Sequence, residues 1–346
     1  MNKSLLALAV IAACAGTASA QTNVTIYGVV DAGIAYKNDG NPAGKTWALE
    51  SGQQSGSRLG FKGSEDLGSG LSAIFALENG FSTDTGALGQ GNRLFGRQAW
   101  VGLTGGFGTV KLGRQPTSLY TALDVIDPFG TNLAGNAQKV FGYGTYAADP
   151  LLRTDNTLSY ALPRMSGFSG IASYGFGEQA GNFSAGRNLG LGLNYVNGPI
   201  NVQFAHQHAK SVSLALLAGG TLDTKATLIG ATYDFNVAKA HVAFAHNKFE
   251  AAGTSDKIRN WLLGVSAPVG AGTLLASYIR NDVTDVSDGK SDQYALGYTH
   301  PLSKRTNVYT SASFMKNDDG VALNAAATAP GGASVRLFNV GIRHTF

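Results

Sequence analysis

From Val24 to Phe346 the chain consists of runs in which apolar and polar residues alternate, joined by connections that are short and long by turns. A period of two sends successive side chains to opposite faces of an extended strand, whereas a helix would repeat its apolar face every three or four residues. In the first run Val24, Ile26, Val30, Ala32 and Ile34 fall on one face and Thr25, Tyr27 and Asp31 on the other. Farther on, Leu59 and Phe61 oppose Arg58 and Lys62, and Ala73, Phe75 and Leu77 oppose Ser72 and Glu78. The pattern persists to the end: Trp261, Leu263 and Val265 form one face of a later run, and the closing run sets Phe338, Val340 and Ile342 against Asn339, Arg343 and Thr345.

The punctuation between the runs fixes their number. Seven short turns, among them Leu67-Gly68-Ser69-Gly70, Asn197-Gly198 and Leu302-Ser303-Lys304, alternate with eight long connections near residues 37–55, 82–92, 116–152, 178–187, 209–224, 250–256, 284–291 and 317–333. Fifteen connections join sixteen strands, and an even count with all short turns at one end puts both chain ends there too. The apolar faces could meet either a second sheet or lipid, and strand length separates the two. Runs of ten to thirteen residues suit a tilted crossing of about 30 Å of hydrocarbon, whereas globular strands average about five or six residues. In lipid an open sheet edge leaves costly unpaired backbone groups, so the first and last strands must pair. The expected fold is therefore all-β: a sixteen-stranded antiparallel transmembrane β-barrel with a lumen too wide for side chains alone to fill. A mean hydropathy near zero is no objection, because lipid-facing and lumen-facing residues average out along each strand.

The N-terminus reads differently. Asn2-Lys3-Ser4, the apolar stretch from Leu5 to Ala15, and Ala18-Ser19-Ala20 form the basic, apolar and small-residue regions of a cleaved export signal. Residues 1–20 are expected to be removed, leaving 21–346 as the barrel. Ile11-Ala12-Ala13-Cys14 also resembles a lipoprotein signal in which Cys14 is lipidated, but Ala18-Ser19-Ala20 lies at the better distance past the apolar stretch. Cys14 is the single cysteine, so cleavage after Ala20 leaves no disulfide, thiolate nucleophile or cysteine-bound metal. The balance of 26 basic to 22 acidic residues is too even to point to nucleic acid. His206 and His208 share a strand face, with His241 and His246 on strands nearby, but no third metal ligand is identifiable. No serine sits in a nucleophile motif and no glycine-rich loop precedes a helix. Neither a cofactor nor an enzymatic activity is expected.

The third long connection, bounded by Pro116 and Pro150, is far longer than compact folds tolerate without a function. Folded into the lumen, it would set the bore. It carries Asp124 and Asp127, and the strands that flank it carry arginines. VTIYGVVDAGIAY near the start, SRLGFKGSEDLGSGLSAIFALENGF, the pair GRQAWVGL and GTVKLGRQ, DPFG within the long loop and the closing VGIRHTF together resemble the trimeric general porins of the Gram-negative outer membrane, in their neisserial and beta-proteobacterial branch. The likeness covers essentially the whole chain. It implies a homotrimer in outer-membrane lipid, an in-folded third loop and passive diffusion of small hydrophilic solutes. It also implies that the last strand, ending in Phe346, is read by the barrel-assembly machinery.

The same resemblance places Arg58, Arg97 and Arg153 on the basic side of the pore, as in anion-selective members. Strand parity agrees for Arg58, adds Lys62 to the basic side of the constriction, and agrees for Arg153, which shares its face with Asp155, Thr157 and Ser159. Arg97 has Phe95, Ala99 and Val101 as parity mates, a blurred pattern in a wall that the family turns toward neighbouring subunits. Lys111 and Arg114 cannot both face inward on one regular strand. Asp124 and Asp127, projecting from the loop, would oppose the arginines, and the resulting transverse field would orient dipolar solutes and favour anions.

Overall fold

The computed structural model describes residues 23–143, 149–212, 221–251 and 253–346. The expected export signal, with Cys14, lies outside them, as does the segment 213–220 of the fifth long connection. Seventeen paired segments form one sheet. It begins with β1 (Asn23–Asn38), β2 (Thr46–Ser51), β3 (Arg58–Gly68) and β4 (Leu71–Gly80). Next come β5 (Gln98–Gly105), β6 (Gly108–Pro116), β7 (Arg153–Ala161) and β8 (Phe168–Gly175). β9 (Asn188–Asn197), β10 (Ile200–Val212), β11 (Thr221–Asp234), β12 (Lys239–Ala251) and β13 (Thr254–Val269) continue it. β14 (Gly272–Val283), β15 (Lys290–Pro301), β16 (Thr306–Asn317) and β17 (Val335–Thr345) complete it. β17 returns antiparallel to β1, with Ile34 opposite Val340 and Val29 opposite Thr345. Two backbone hydrogen bonds between Gly28 and Phe346, 3.0 and 3.2 Å, carry the seam to the last residue. The closed sheet has no free edge to expose to lipid.

β2 and β3 are one wall strand in two pieces. β2 pairs with the upper part of β1, Tyr36 opposite Trp47, and β3 with its lower part, Ile26 opposite Phe61. The wall therefore has sixteen courses, as the turn count requires. The sequence reading places residues 37–55 wholly in a loop; the structure finds a strand inside it. The break at 52–57 hides it, because there a side chain replaces the ladder. The carboxylate of buried Asp31 accepts from the backbone of Gln54 (3.0 Å) and Ser55 (2.7 Å) and from the Tyr309 hydroxyl (2.6 Å). Those bonds hold 52–57 inside the barrel.

The two faces of the sheet invert the usual order of a soluble protein. Ile26, Leu263 and Leu296 point outward at 62%, 57% and 56% exposure, whereas Asp31, Asn260, Asn281 and Gln293 are buried on the inside. Among the described residues no helix is long and apolar enough to cross a membrane; the strands do the crossing. They are unequal: β5 to β8 run eight or nine residues, and β10 to β16 run twelve to sixteen.

Candidate functional site

The long loop after β6 does enter the lumen. Thr117 starts it by capping α1 (Ser118–Ile126), its hydroxyl accepting from the Tyr120 amide at 3.1 Å and donating to the Leu151 carbonyl at 2.6 Å. Leu119, Ala122, Leu123 and Ile126 recur at helical spacing and are all buried. With Phe141 and Tyr143 they pack against Ala205, Leu228, Ile258, Leu262 and Ile279, which the wall strands point inward. A second short helix, α2 (Ala137–Val140), is capped by Asn136. The wall supplies polar fasteners as well. Asn281 donates to the Val140 carbonyl and Asn247 to that of Phe141, both at 2.8 Å. His241 donates through Nδ1 to the Ile126 carbonyl at 2.7 Å. This histidine is a loop anchor; His206 and His246 point the opposite way, toward the outside, so the four histidines do not converge. Among the described residues no group of three metal-ligating side chains occurs.

Asp124 and Asp127 part company. The helix stops at Ile126, so Asp124 faces the lumen on its wet side while Asp127 at the C-cap turns back into the loop. Asp127 is buried, and its carboxylate accepts from the amides of Phe129 (3.0 Å), Thr131 (3.0 Å) and Ala137 (2.9 Å). The expectation that it projects across the lumen is thus replaced by a structural role: it ties the DPFG turn to the start of α2. Burial pushes its carboxyl up to about 7, and the three amides hold it from rising further. The Asp124 carboxylate instead accepts from the Thr131 hydroxyl at 2.7 Å and stays at the open surface of the loop.

Between this loop and the opposite wall lies a cavity of about 910 Å³. Arg58, Arg97 and Arg153 from the wall and Asp124 from α1 all line it, with Tyr120 beside them. Residues 50–56, which include the inward break between β2 and β3, form one side, where the Leu133 amide donates to the Gln53 carbonyl at 2.6 Å. Arg97 precedes β5 rather than lying within it, which resolves its blurred parity. Its Nε donates to Glu78 at 2.6 Å, its carbonyl accepts from Arg153 Nε at 3.2 Å, and its guanidinium lies so close to Gly56 that a Cβ there would sit 3.0 Å away. Arg153 stands over the Tyr120 ring at 5.5 Å. Lys62 shares the inward parity of Arg58 but lies nearer the short turns, over Tyr27 at 5.3 Å, and does not line the cavity.

Four further charges line the cavity that the sequence reading does not assign to it: Glu50, Glu78, Lys139 and Arg343. Glu78 and Arg343 sit on inward parity, a signal that suffices to find them. Glu50 belongs to the strand hidden within a long connection, and Lys139 to the in-folded loop, where alternation gives no signal. Lys111 and Arg114 do escape lipid together, because a bulge between Gly113 and Gln115 breaks the strand's regularity. Lys111 rests over Trp100 at 4.2 Å. Arg114 is buried, donating to the Gly96 carbonyl at 2.8 Å and to Asp155 at 2.7 Å.

A family model described as Gram-negative porin matches residues 7–320. The chain belongs to the Gram-negative porin family. Outer membrane porin protein 32 of Delftia acidovorans is 36% identical over 362 residues, with both chains covered in full. An outer membrane porin protein of Bordetella pertussis is 34% identical over 400 residues, again with complete coverage. The solved structure of the anion-selective porin from Comamonas acidovorans superposes with a TM-score of 0.83 at 34% identity, covering 94% of this chain and 100% of that one. This porin is thus an outer-membrane channel for passive diffusion rather than an enzyme.

Proposed function

We propose that this porin passes small hydrophilic solutes with a preference for anions, and that Arg58, Arg97 and Arg153 opposite Asp124 form the selective constriction. One observation carries the reading: the charges that line the cavity between loop and wall do not cancel. Arg58, Arg97, Lys139, Arg153 and Arg343 supply five cations, and Glu50, Glu78 and Asp124 three carboxylates. In a confined lumen an excess of two positive charges concentrates anions along the basic wall. Arg58 lines the cavity, and its buried Nε has no hydrogen-bond partner among the described residues. Lys62 supplies a further inward-parity cation on the side nearer the short turns, where it keeps the exit attractive to anions.

The mature chain begins at Gln21 and assembles as a homotrimer, after the barrel-assembly machinery has read the strand ending in Phe346. Supporting the trimer, the outward faces of β3, β4 and β5 carry Leu59, Phe61, Phe75, Leu77 and Val101, with no charge except Glu65 near the short turn. An apolar arc of that kind suits a subunit interface. Planar-bilayer recording tests both parts. Under a potassium chloride gradient the reversal potential should carry the sign of anion preference, and insertions should step in multiples of three conducting levels. A reversal potential of the cation sign would remove the anion reading.

A further inference from the structure

The wall strand that β2 and β3 share is interrupted at one height. On β1, Ala32 pairs with Ser51 and Val29 with Arg58, so Val30 and Asp31 face the whole of 52–57. The surplus backbone must leave the plane of the sheet. In lipid its amides and carbonyls would go unsatisfied, and irregular backbone is tolerated at membrane depth only against protein or a water-filled cavity. Asp31 supplies the inward partners. Arg343 lies directly opposite it on β17, yet no ion pair joins the two among the described residues. The carboxylate binds the segment instead, Oδ2 accepting from the amides of Gln54 and Ser55, while Oδ1 accepts from the Tyr309 hydroxyl. The Asp31 carbonyl accepts from the Gly52 amide at 2.9 Å and from the Ser57 hydroxyl at 3.1 Å. A single residue thus fixes both ends and the middle of 52–57.

The segment held in this way reaches the charged cavity, which Gly52 to Gly56 line. Its Gln53 carbonyl accepts from the Leu133 amide of the in-folded loop at 2.6 Å, and its Gln54 side chain accepts from Asn307 Nδ2 at 2.7 Å. Gly56 lies against Arg97, where a Cβ would stand 3.0 Å from Nη1. The guanidinium is therefore bound by Glu78 through Nε and confined by the segment at Nη1. Freed from Asp31, the segment would lose the contacts that keep it beside both the third loop and this arginine.

We propose that Asp31 is a positioning residue of the constriction: it holds 52–57 as a second in-folded segment, which narrows the bore beside the third loop and keeps Arg97 in the solute path. The selectivity part of this rests on the reading of Arg97 as a member of the selective constriction; the bore part does not. The test compares Asp31→Ala with Asp31→Asn in the refolded mature protein, by single-channel conductance and reversal potential. Asparagine keeps an oxygen for the two amides and turns its NH2 to the Tyr309 oxygen, so it retains the segment and drops only the charge. Alanine drops both.

Asp31→Ala should raise conductance roughly 1.5-fold as the segment withdraws and lower anion over cation permeability roughly threefold, since one arginine is loosened and none removed. Lys139 should stay protected from trypsin, which shows the third loop still in place, and Asp31→Asn should match the wild type. Should Asp31→Ala not refold, Tyr309→Phe, which withdraws one bond from the carboxylate, should move both readings the same way by less. An unchanged channel in whichever of these refolds would overturn the proposal. So would an equal shift toward anions in the alanine and asparagine variants, because the carboxylate would then act by its charge alone. A wild-type reversal potential of the cation sign removes the anion reading and leaves the conductance result to decide the segment's role; an anion-preferring wild type with Asp31→Ala unmoved removes that role alone.

Discussion

On the inner face of β10 to β14 the side chains that pack with the loop are Ala205, Leu228, Ile258, Leu262 and Ile279, whereas on β3, β4 and β7 those that line the cavity are Arg58, Glu78 and Arg153. One alternating pattern thus yields two inner walls, one adhesive and one charged. The loop lies on the first because burying Leu119, Leu123 and Ile126 there removes apolar surface from water. Lying on the second would strip water from arginines, at a cost no hydrogen bond on offer would cover. The bore is therefore set by packing on one side and the field by charge on the other, and the two should be separable by mutation.

Leu123→Ala attacks the adhesive wall and should have the largest effect. Leu123 is fully buried, and removing such a side chain costs about 2–5 kcal/mol. That is enough to loosen the loop without unfolding a barrel closed by its own ladders. Conductance should rise and become noisy, and trypsin should gain access to Lys139, while the sign of selectivity persists. Unchanged protease resistance and conductance would show that packing does not hold the loop.

The same wall has a pH handle in Asp127. Its carboxyl is raised from 3.8 to about 7 in the docked loop, so between those values the docked loop holds a proton that a released loop has shed. Docking is then strongest below about pH 4, weakens as pH rises toward 7, and is level above that, by at most a few kcal/mol. Open-channel noise should increase over that interval and be flat across it in Asp127→Asn. The opposite slope would place the proton elsewhere.

Arg58→Gln combined with Arg153→Gln tests the charged wall. Unit charges about 4 Å apart interact by about 1 kcal/mol in water and about 4 kcal/mol at an effective dielectric of 20. Losing two cations beside the path should therefore cut anion over cation permeability by roughly tenfold, with the loop as protease-resistant as before. Reversal potentials under a salt gradient measure it; no shift would remove these arginines from the constriction.

The outer half of this contrast was open to sequence reading and the inner half only in part. Alternation put Ile26, Trp261 and Phe338 outside and Arg58 and Arg153 inside, because a barrel wall allows a side chain only two directions. It failed wherever the backbone stops being a strand. β2, with Glu50, was lost behind a break held by Asp31, and Lys111 and Arg114 could not be reconciled without the bulge at Gly113. Asp124 and Asp127, three apart, would share a face on a continuing helix; the helix ends between them, and no residue count reveals where a cap turns.

The smallest effect sharpens the comparison most, because its sign is opposite. Glu78 holds Arg97 at 2.6 Å and accepts from the Tyr27 hydroxyl at 2.8 Å, so it subtracts a charge from the wall while fixing the guanidinium in place. Glu78→Gln keeps the size and one acceptor oxygen for Arg97, with its amide NH2 able to donate to the Tyr27 hydroxyl oxygen, but removes the negative charge, leaving the Arg97 cation unanswered. If the wall acts through its field, anion preference should increase by roughly twofold to threefold, less than the arginine losses because Arg97 stays partly open to water and is screened there. If the wall acts only by shaping the bore, loosening Arg97 should lower selectivity, as the arginine substitutions do. A reversal potential moving toward the anion limit in Glu78→Gln and away from it in Arg58→Gln/Arg153→Gln is the result that charge alone explains.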